Sequence, residues 1–162
     1  MTPRIHLVDE ADLAELLPLM RAYCDFYEVD PSDEALLAMS RALIADPELE
    51  GVQLMARNAD GAAVGFATVF WSWSTLGAAR IGVMNDLFVA EAARGQGVAE
   101  ALIEECRERA RHRGAGSLGW QTAKDNLRAQ ALYDRIGAKR SEWVDYSLEA
   151  GDGSPGATTP DS

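Results

Sequence analysis

The stretch Asn85–Ala110 reads N-D-L-F-V-A-E-A-A-R-G-Q-G-V-A-E-A-L-I-E-E-C-R-E-R-A, and its reading decides the fold. Ahead of it, Ile81–Val89 is patterned as a strand; behind Arg94-Gly95-Gln96-Gly97 comes a helix with Val98, Leu102, Cys106 and Ala110 on one face. The two glycines admit backbone angles that a Cβ forbids and let a ligand approach the chain closely. A helix starting at that point offers unpaired N–H groups and the positive end of its dipole. A strand, a glycine turn and a helix start together make an anion site, suited to phosphate or pyrophosphate.

Three phosphate-binding patterns compete for this loop. A P-loop requires a Lys after its glycines, and none follows here. A dinucleotide fingerprint requires a third glycine where this chain has Glu100, a long side chain at a point of close helix–strand packing. The third pattern is R/Q-x-x-G-x-G/A, and Arg94-Gly95-Gln96-Gly97-Val98-Ala99 fits it. With Asn85-Asp86-Leu87-Phe88-Val89 before it and Asn126 and Tyr133 after it, the chain resembles the GNAT N-acetyltransferases over roughly Arg4 to Leu148. In its motif wording it resembles most the polyamine/diamine and histone-type small acetyltransferases, whose second motif reads like Asn126-Leu127-Arg128-Ala129-Gln130-Ala131-Leu132-Tyr133.

Composition is that of a globular protein. The 162 residues are 48 % hydrophobic and 25 % charged, enough for one domain with a real core. No apolar run reaches the ~20 residues a membrane span needs, and Met1–Glu10 has no apolar signal segment. Cys24 and Cys106 fall on apolar helical faces and are expected as buried free thiols. His6 and His112 lack companion ligands, so no metal is expected, and the cytoplasm is the expected compartment. The net charge of −11 argues against non-specific nucleic-acid binding. Residues 9–50 hold twelve acidic side chains against Arg21 and Arg41, a local balance of −10.

Taken in order, Arg4–Val8 reads as a strand, and Asp9 caps a helix running to about Tyr27 that Pro18 should kink or split. Ser32 caps a second helix to about Ala45. Gly51–Arg57 and Ala63–Trp73 are strands joined by a turn at Asn58-Ala59-Asp60-Gly61. The central helix stops at Gly114 and Gly116, and Ser117–Gln121 is a fifth strand. Asn126–Ile136 is a short helix with Gly137 just past its end, and Ala138–Arg140 and Trp143–Leu148 are edge strands. The order β-α-α-β-β-β-α-β-α-β implies a mixed α/β sheet with helices on both faces. The resemblance makes that sheet mostly antiparallel, in one domain over 1–149 with a disordered tail over 150–162.

Acyl transfer to an amine requires the amine to lose a proton, the carbonyl oxygen to be stabilised and the thiolate to leave. No Cys or Ser nucleophile with a His partner is apparent, which favours direct attack by the amine. The remaining roles are what the resemblance implies. The cosubstrate is acetyl-CoA: Leu87, Phe88 and Val89 pair with its pantetheine arm through backbone groups, Arg94 to Ala99 hold its pyrophosphate, and Asn126 reaches its arm besides capping a helix. Tyr133 donates a proton or hydrogen bond to the leaving sulfur, with an amphipathic core tyrosine as the other reading. Asp86 is either the base that orients and deprotonates the amine or a structural hydrogen-bonding residue; some relatives carry Glu where this chain has Asn85. Tyr23, Asp25, Tyr27, Glu28 and Asp30 line the acceptor entrance. Trp71, like Trp73, is core or an amine-binding wall. The implied acceptor is a small cationic amine, the other readings being a protein-lysine or amino-acid acceptor, or a non-catalytic acetyl-CoA-binding regulatory module, and family habit implies a homodimer.

Overall fold

The computed structural model describes residues 2–151; the tail expected from residue 150 lies, past Gly151, outside them. Contacts gather into two compact units, one ending at Gln121 and the other beginning at Thr122.

The first unit is a five-stranded sheet in the order β1-β2-β3-β4-β5: β1 Arg4–Leu7, β2 Gly51–Arg57, β3 Ala63–Ser74, β4 Ala79–Val89 and β5 Ala115–Gly119. The first four strands are antiparallel, and β5 joins β4 in parallel. Helices α1 (Leu13–Phe26) and α2 (Asp33–Ala45) cover one face, where Val8, Leu13, Leu16, Leu19 and Met20 pack with Met55 and Phe66. Helix α3 (Val98–His112) covers the other, buried through Val98, Leu102, Ile103, Cys106 and Ala110. Strand alternation divides the two faces. A Cβ on Gly65 would come within 3.4 Å of Leu102 and Val98, whereas its neighbour Phe66 belongs to the α1 cluster. The mixed α/β sheet with helices on both faces is therefore as the sequence implies. Cys24 and Cys106 are both buried free thiols.

Helix boundaries follow local chemistry. Asp9 accepts from the Ala11 amide and starts a short 3-10 turn, Glu10–Asp12, before α1. Pro18 lies inside α1 without splitting it. Proline removes one backbone donor, and burial of Leu16, Leu19, Met20 and Cys24 holds the turn together regardless. Ser32 accepts from Ala35 to cap α2. The β2–β3 turn is tied by Asn58, whose Oδ1 accepts from the Asp60 and Ala62 amides.

The second unit contains α4, Leu127–Arg135, capped by Asn126, which accepts from Ala129, and followed by Gly137 at φ 82°. The edge strands expected at Ala138–Arg140 and Trp143–Leu148 are absent: residues 138–150 pair with no strand. Their alternating apolar pattern is real, but Trp143, Val144, Tyr146 and Leu148 are exposed, so no buried face fixes a register.

A buried ion pair fastens α1 to the β2–β3 corner. Arg57 donates to Asp12 at 2.9 Å and to Glu15 at 2.9 Å, and also to the Gly61 carbonyl. Burial pushes the Asp12 carboxyl up, but the Asp9 amide, Arg57 and His6 outweigh it and leave it below its ordinary value. Arg57→Leu leaves Asp12 short of its cationic partner and should cost about 2–3 kcal/mol of stability, read from urea unfolding at pH 7. Because the Asp12 value is lowered, that stabilisation is present above the unfolded-state pKa and lost as the pH falls through the folded one. The gap between Arg57→Leu and the parent should therefore narrow in acid.

Candidate active site

The ladder between β3 and β4 is irregular at one point. Val69 pairs with Met84 and Thr68 with Asp86, so Asn85 is an extra residue in β4. Such a bulge bends the strand and re-aims the side chains beyond it. Asp86 comes opposite Thr68, and Phe88 opposite Phe66, on the face covered by α1.

Asp86 is 8 % exposed. Burial pushes its carboxyl above the ordinary range, and hydrogen-bonding side chains of Thr68, Tyr23 and Asn85 pull it back only in part. Asn85 Nδ2 donates to it at 3.0 Å. Desolvation, followed by the negative charge of Asp86, raises Tyr23 far above a normal phenol, and burial raises Tyr27 as well. Both tyrosines keep their protons at neutral pH. Their rings meet edge-on at 5.0 Å, Phe26 meets Tyr27 at 5.1 Å, and Tyr23 meets Phe66 at 5.8 Å. This aromatic row runs from the surface at Phe26 to the core at Phe66, with Asp86 beside Tyr23. Helix α1 ends in a motif where the Val29 amide bonds to Cys24 and the Glu28 amide to Asp25, with Glu28 at φ 57°. That left-handed position usually carries glycine.

The structure brings Tyr23, Tyr27 and Asp86 together. Asp30 pairs with Arg21, as does Asp33. Asp25 and Glu28 are exposed and pair with no cation among the described residues. Trp71 lies on the opposite face of β3 from Thr68, since its ring and Val69 both crowd the position of a Gly82 Cβ. Its indole N–H donates to the Pro47 carbonyl at 2.8 Å. Trp73 is exposed under the Arg80 guanidinium. Gln53 and Thr68, which no motif marks, are buried in line with Asp86.

The phosphate-type loop is built as its glycines demand. Gly95 and Gly97 have φ of 75° and 79°, and a Cβ on either would meet nothing within 4 Å. The glycines are needed for backbone angle, and the space before them is open. The first bond of α3 runs from the Ala101 amide to the Gly97 carbonyl, which leaves Val98 and Ala99 without helical acceptors. Arg94 Nε donates to the Val89 carbonyl at 3.0 Å, and Gln96 to the Ala92 carbonyl at 3.1 Å, so both side chains brace the loop. Pairing of β4 with β5 stops at Val83–Gly119, and Leu87, Phe88 and Val89 lie beyond it. A polyanion with an extended arm fits this arrangement: phosphates at the loop, the arm along the open side of β4. In the second unit Asn126 and the half-buried Tyr133 lie on α4, and the Tyr133 carbonyl accepts from the Ala138 amide. Among the described residues no cluster of His, Cys, Asp and Glu could hold a metal, and no helix is long and apolar enough to cross a membrane.

A bulged strand β4, left unpaired by β5 beyond Val83, and a glycine loop opening a helix are suited to holding a polyanion with an extended arm. The chain belongs to the GNAT acetyltransferase family, whose model matches residues 16–138. It is 31 % identical over 139 residues to the uncharacterized N-acetyltransferase YhfO of Bacillus subtilis, covering 85 % of this chain and 91 % of that one. It is 33 % identical over 122 residues to the D-amino-acid N-acetyltransferase HPA3 of Saccharomyces cerevisiae, covering 75 % of each. A crystal structure described as a probable acetyltransferase superposes with a TM-score of 0.79 at 30 % identity, covering 93 % of this chain and 99 % of that one. The protein is accordingly an N-acetyltransferase that uses acetyl-CoA.

Gly97→Glu sets bulk and negative charge where phosphate would lie, at a backbone cost of about 1 kcal/mol. The variant should stay folded and bind acetyl-CoA at least about tenfold more weakly by calorimetry. An unchanged affinity in the folded variant removes the loop from the cofactor site.

Proposed function

We propose that the enzyme acetylates a primary amine by direct attack, with Asp86 as the proton acceptor. The observation that carries this reading is the buried Asp86 carboxyl beyond the bulge, raised above its ordinary value by desolvation. A carboxylate so raised is a better base near neutral pH than an exposed one. Acetyl-CoA supplies the activated acyl group, held by the Arg94–Ala99 loop and the backbone of Leu87, Phe88 and Val89. Asp86 takes one proton of the ammonium; the neutral nitrogen then forms the N–C bond as the C–S bond breaks, its remaining surplus proton passes to the departing thiolate, and Tyr133 stabilises that sulfur. A phenol facing a thiol makes complete proton transfer uphill by about 2 kcal/mol, so Tyr133 acts as a hydrogen-bond donor as much as an acid. Asn126 supports the cosubstrate's arm.

The acceptor in this reading is a small cationic amine of polyamine or diamine type. Tyr23 and Tyr27 offer aromatic faces beside Asp86, and Asp25 and Glu28 are acids of the entrance with no cationic partner among the described residues. The amino-acid acceptor named for the yeast relative is the competing class. A homodimer in the cytoplasm, with one catalytic domain through Glu149, completes the reading.

The test compares kcat/KM for a diamine with that for an uncharged-tail monoamine of equal length, at low and high salt. The diamine should be preferred, with the preference reduced by salt and by replacing Asp25 and Glu28 with amides. Equal values, insensitive to both, would reject the cationic acceptor. Tyr133→Phe should lower kcat by about 10²-fold while acetyl-CoA affinity holds. Asp86→Asn should abolish the acidic limb of the kcat/KM profile along with most activity. Near-normal turnover in either variant would return that residue to a structural role.

A further inference from the structure

Three polar side chains lie side by side across the sheet. Gln53 on β2 is the register partner of Thr68 on β3, and Thr68 is the register partner of Asp86 on β4. Directly opposed side chains stand about 5 Å apart at Cβ, so the three form a continuous row. They share the face that α1 covers, and Gln53 Nε2 also reaches Met20 of that helix. All three are buried, Thr68 completely. Gln53 Nε2 donates to Thr68 Oγ1 at 3.1 Å.

The direction of that bond matters. A hydroxyl carries one proton. With its oxygen accepting from Gln53, the Thr68 proton is free to turn toward Asp86, and Thr68 acts on Asp86 in the sense that favours the carboxylate. Gln53 Oε1 is buried and has no hydrogen-bond partner. Reversing the amide would let Oε1 accept the Thr68 proton, at the expense of Asp86. This orientation leaves an orphan acceptor in the core and leaves the Thr68 proton available to one carboxylate, and a buried group left unsatisfied calls for a reason. The other buried polar residues have local explanations: Asp12 and Arg57 pair, and Ser40 bonds to Met20 Sδ.

We infer that Thr68 and Gln53 are positioning residues of this acetyltransferase: the Gln53–Thr68 pair fixes the Asp86 carboxyl and sustains its ionised form where α1 excludes water. The inference rests on Asp86 being the proton acceptor only for its kinetic consequence. Among the described residues the groups that face Asp86 are Tyr23, Cys24 and Tyr27 from α1, Thr68 from β3 and its neighbour Asn85; none is a cation, so the hydrogen-bond donors are what oppose desolvation.

The experiment follows the Asp86 carboxyl by 13C NMR titration, beside the pH profile of kcat/KM with one amine acceptor throughout. Thr68→Val keeps the volume and deletes the hydroxyl; it should raise the Asp86 pKa by about one pH unit. The acidic limb of kcat/KM should move to higher pH by the same amount. Gln53→Met should shift both in the same direction by less, and Thr68→Ser, which restores the hydroxyl, should bring both back to the parent values. An Asp86 titration in folded Thr68→Val that superposes on the parent overturns the inference. So does an equal shift in Thr68→Ser, since lost packing would then be the cause. Should Thr68→Val fold poorly, Gln53→Met alone decides by the same titration. A shifted NMR titration with an unmoved kinetic limb sustains the positioning role and rejects Asp86 as the base.

Discussion

One surplus residue in β4 determines which face of the sheet receives Asp86 and Phe88. Up to Met84 the ladder pairs Gly82 with Trp71 and Met84 with Val69, on the face that α3 covers. A regular ladder would set Asn85 against Thr68 and send Asp86 toward α3, because strand side chains alternate strictly. The bulge at Asn85 inverts that parity. Asp86 and Phe88 turn to the α1 face, where Phe88 lies 6.1 Å from Phe66 and 6.3 Å from Tyr23, ring centre to ring centre. The carboxyl, the aromatic row and the polar pair Gln53–Thr68 are thereby gathered on one side of the sheet.

The same irregularity bears on the other half of the site. Bulges increase local twist, and the β4–β5 pairing ends at Val83, two residues before Asn85. The strand then runs on through Leu87, Phe88 and Val89, and its end is tied to the glycine loop by Arg94. A carrier arm pairing with that strand would meet its acceptor at the bulge, with its phosphates at Gly95 and Gly97. In the proposed reading, backbone geometry would bring acyl donor and proton acceptor to neighbouring positions.

Local chemistry was readable in the chain; register was not. The loop Arg94–Gly97 could be recognised because positive φ, a helix start and a preceding strand are properties of adjacent residues. The caps at Ser32 and Asn126 and the turn at Asn58 were legible for the same reason. Asp86 was visible as a polar residue in an apolar run, but its face was not, since the bulge arises only when β3 and β4 pair. Gln53 and Thr68 interrupt V-Q-L-M-A and F-A-T-V-F as isolated polar residues, and their alignment requires three strands in register. Trp71 was ambiguous for that reason too, and the structure sets it on the far side of β3 from Asp86. The alternation at Trp143–Leu148 suggested a strand, yet period two gives a strand only where another strand or a core receives it.

Charge pairing is likewise set by the fold. Half of the twelve acids in residues 9–50 pair with an arginine: Glu10 with Arg41, Asp12 and Glu15 with Arg57, Asp30 and Asp33 with Arg21, and Glu48 with Arg113. Arg21 and Arg41 are already counted in the balance of −10; Arg57 and Arg113 come from outside the segment and offset part of it. Asp86 stands apart, because it meets donors but no cation. Its ionised form lacks the positive partner that buried carboxylates normally have. An ammonium acceptor would bring that partner with it. Binding would then favour the carboxylate while the amine remains charged, and transfer of the proton would neutralise both groups at once. The missing cation thus couples acceptor binding to the deprotonation that the proposed chemistry requires.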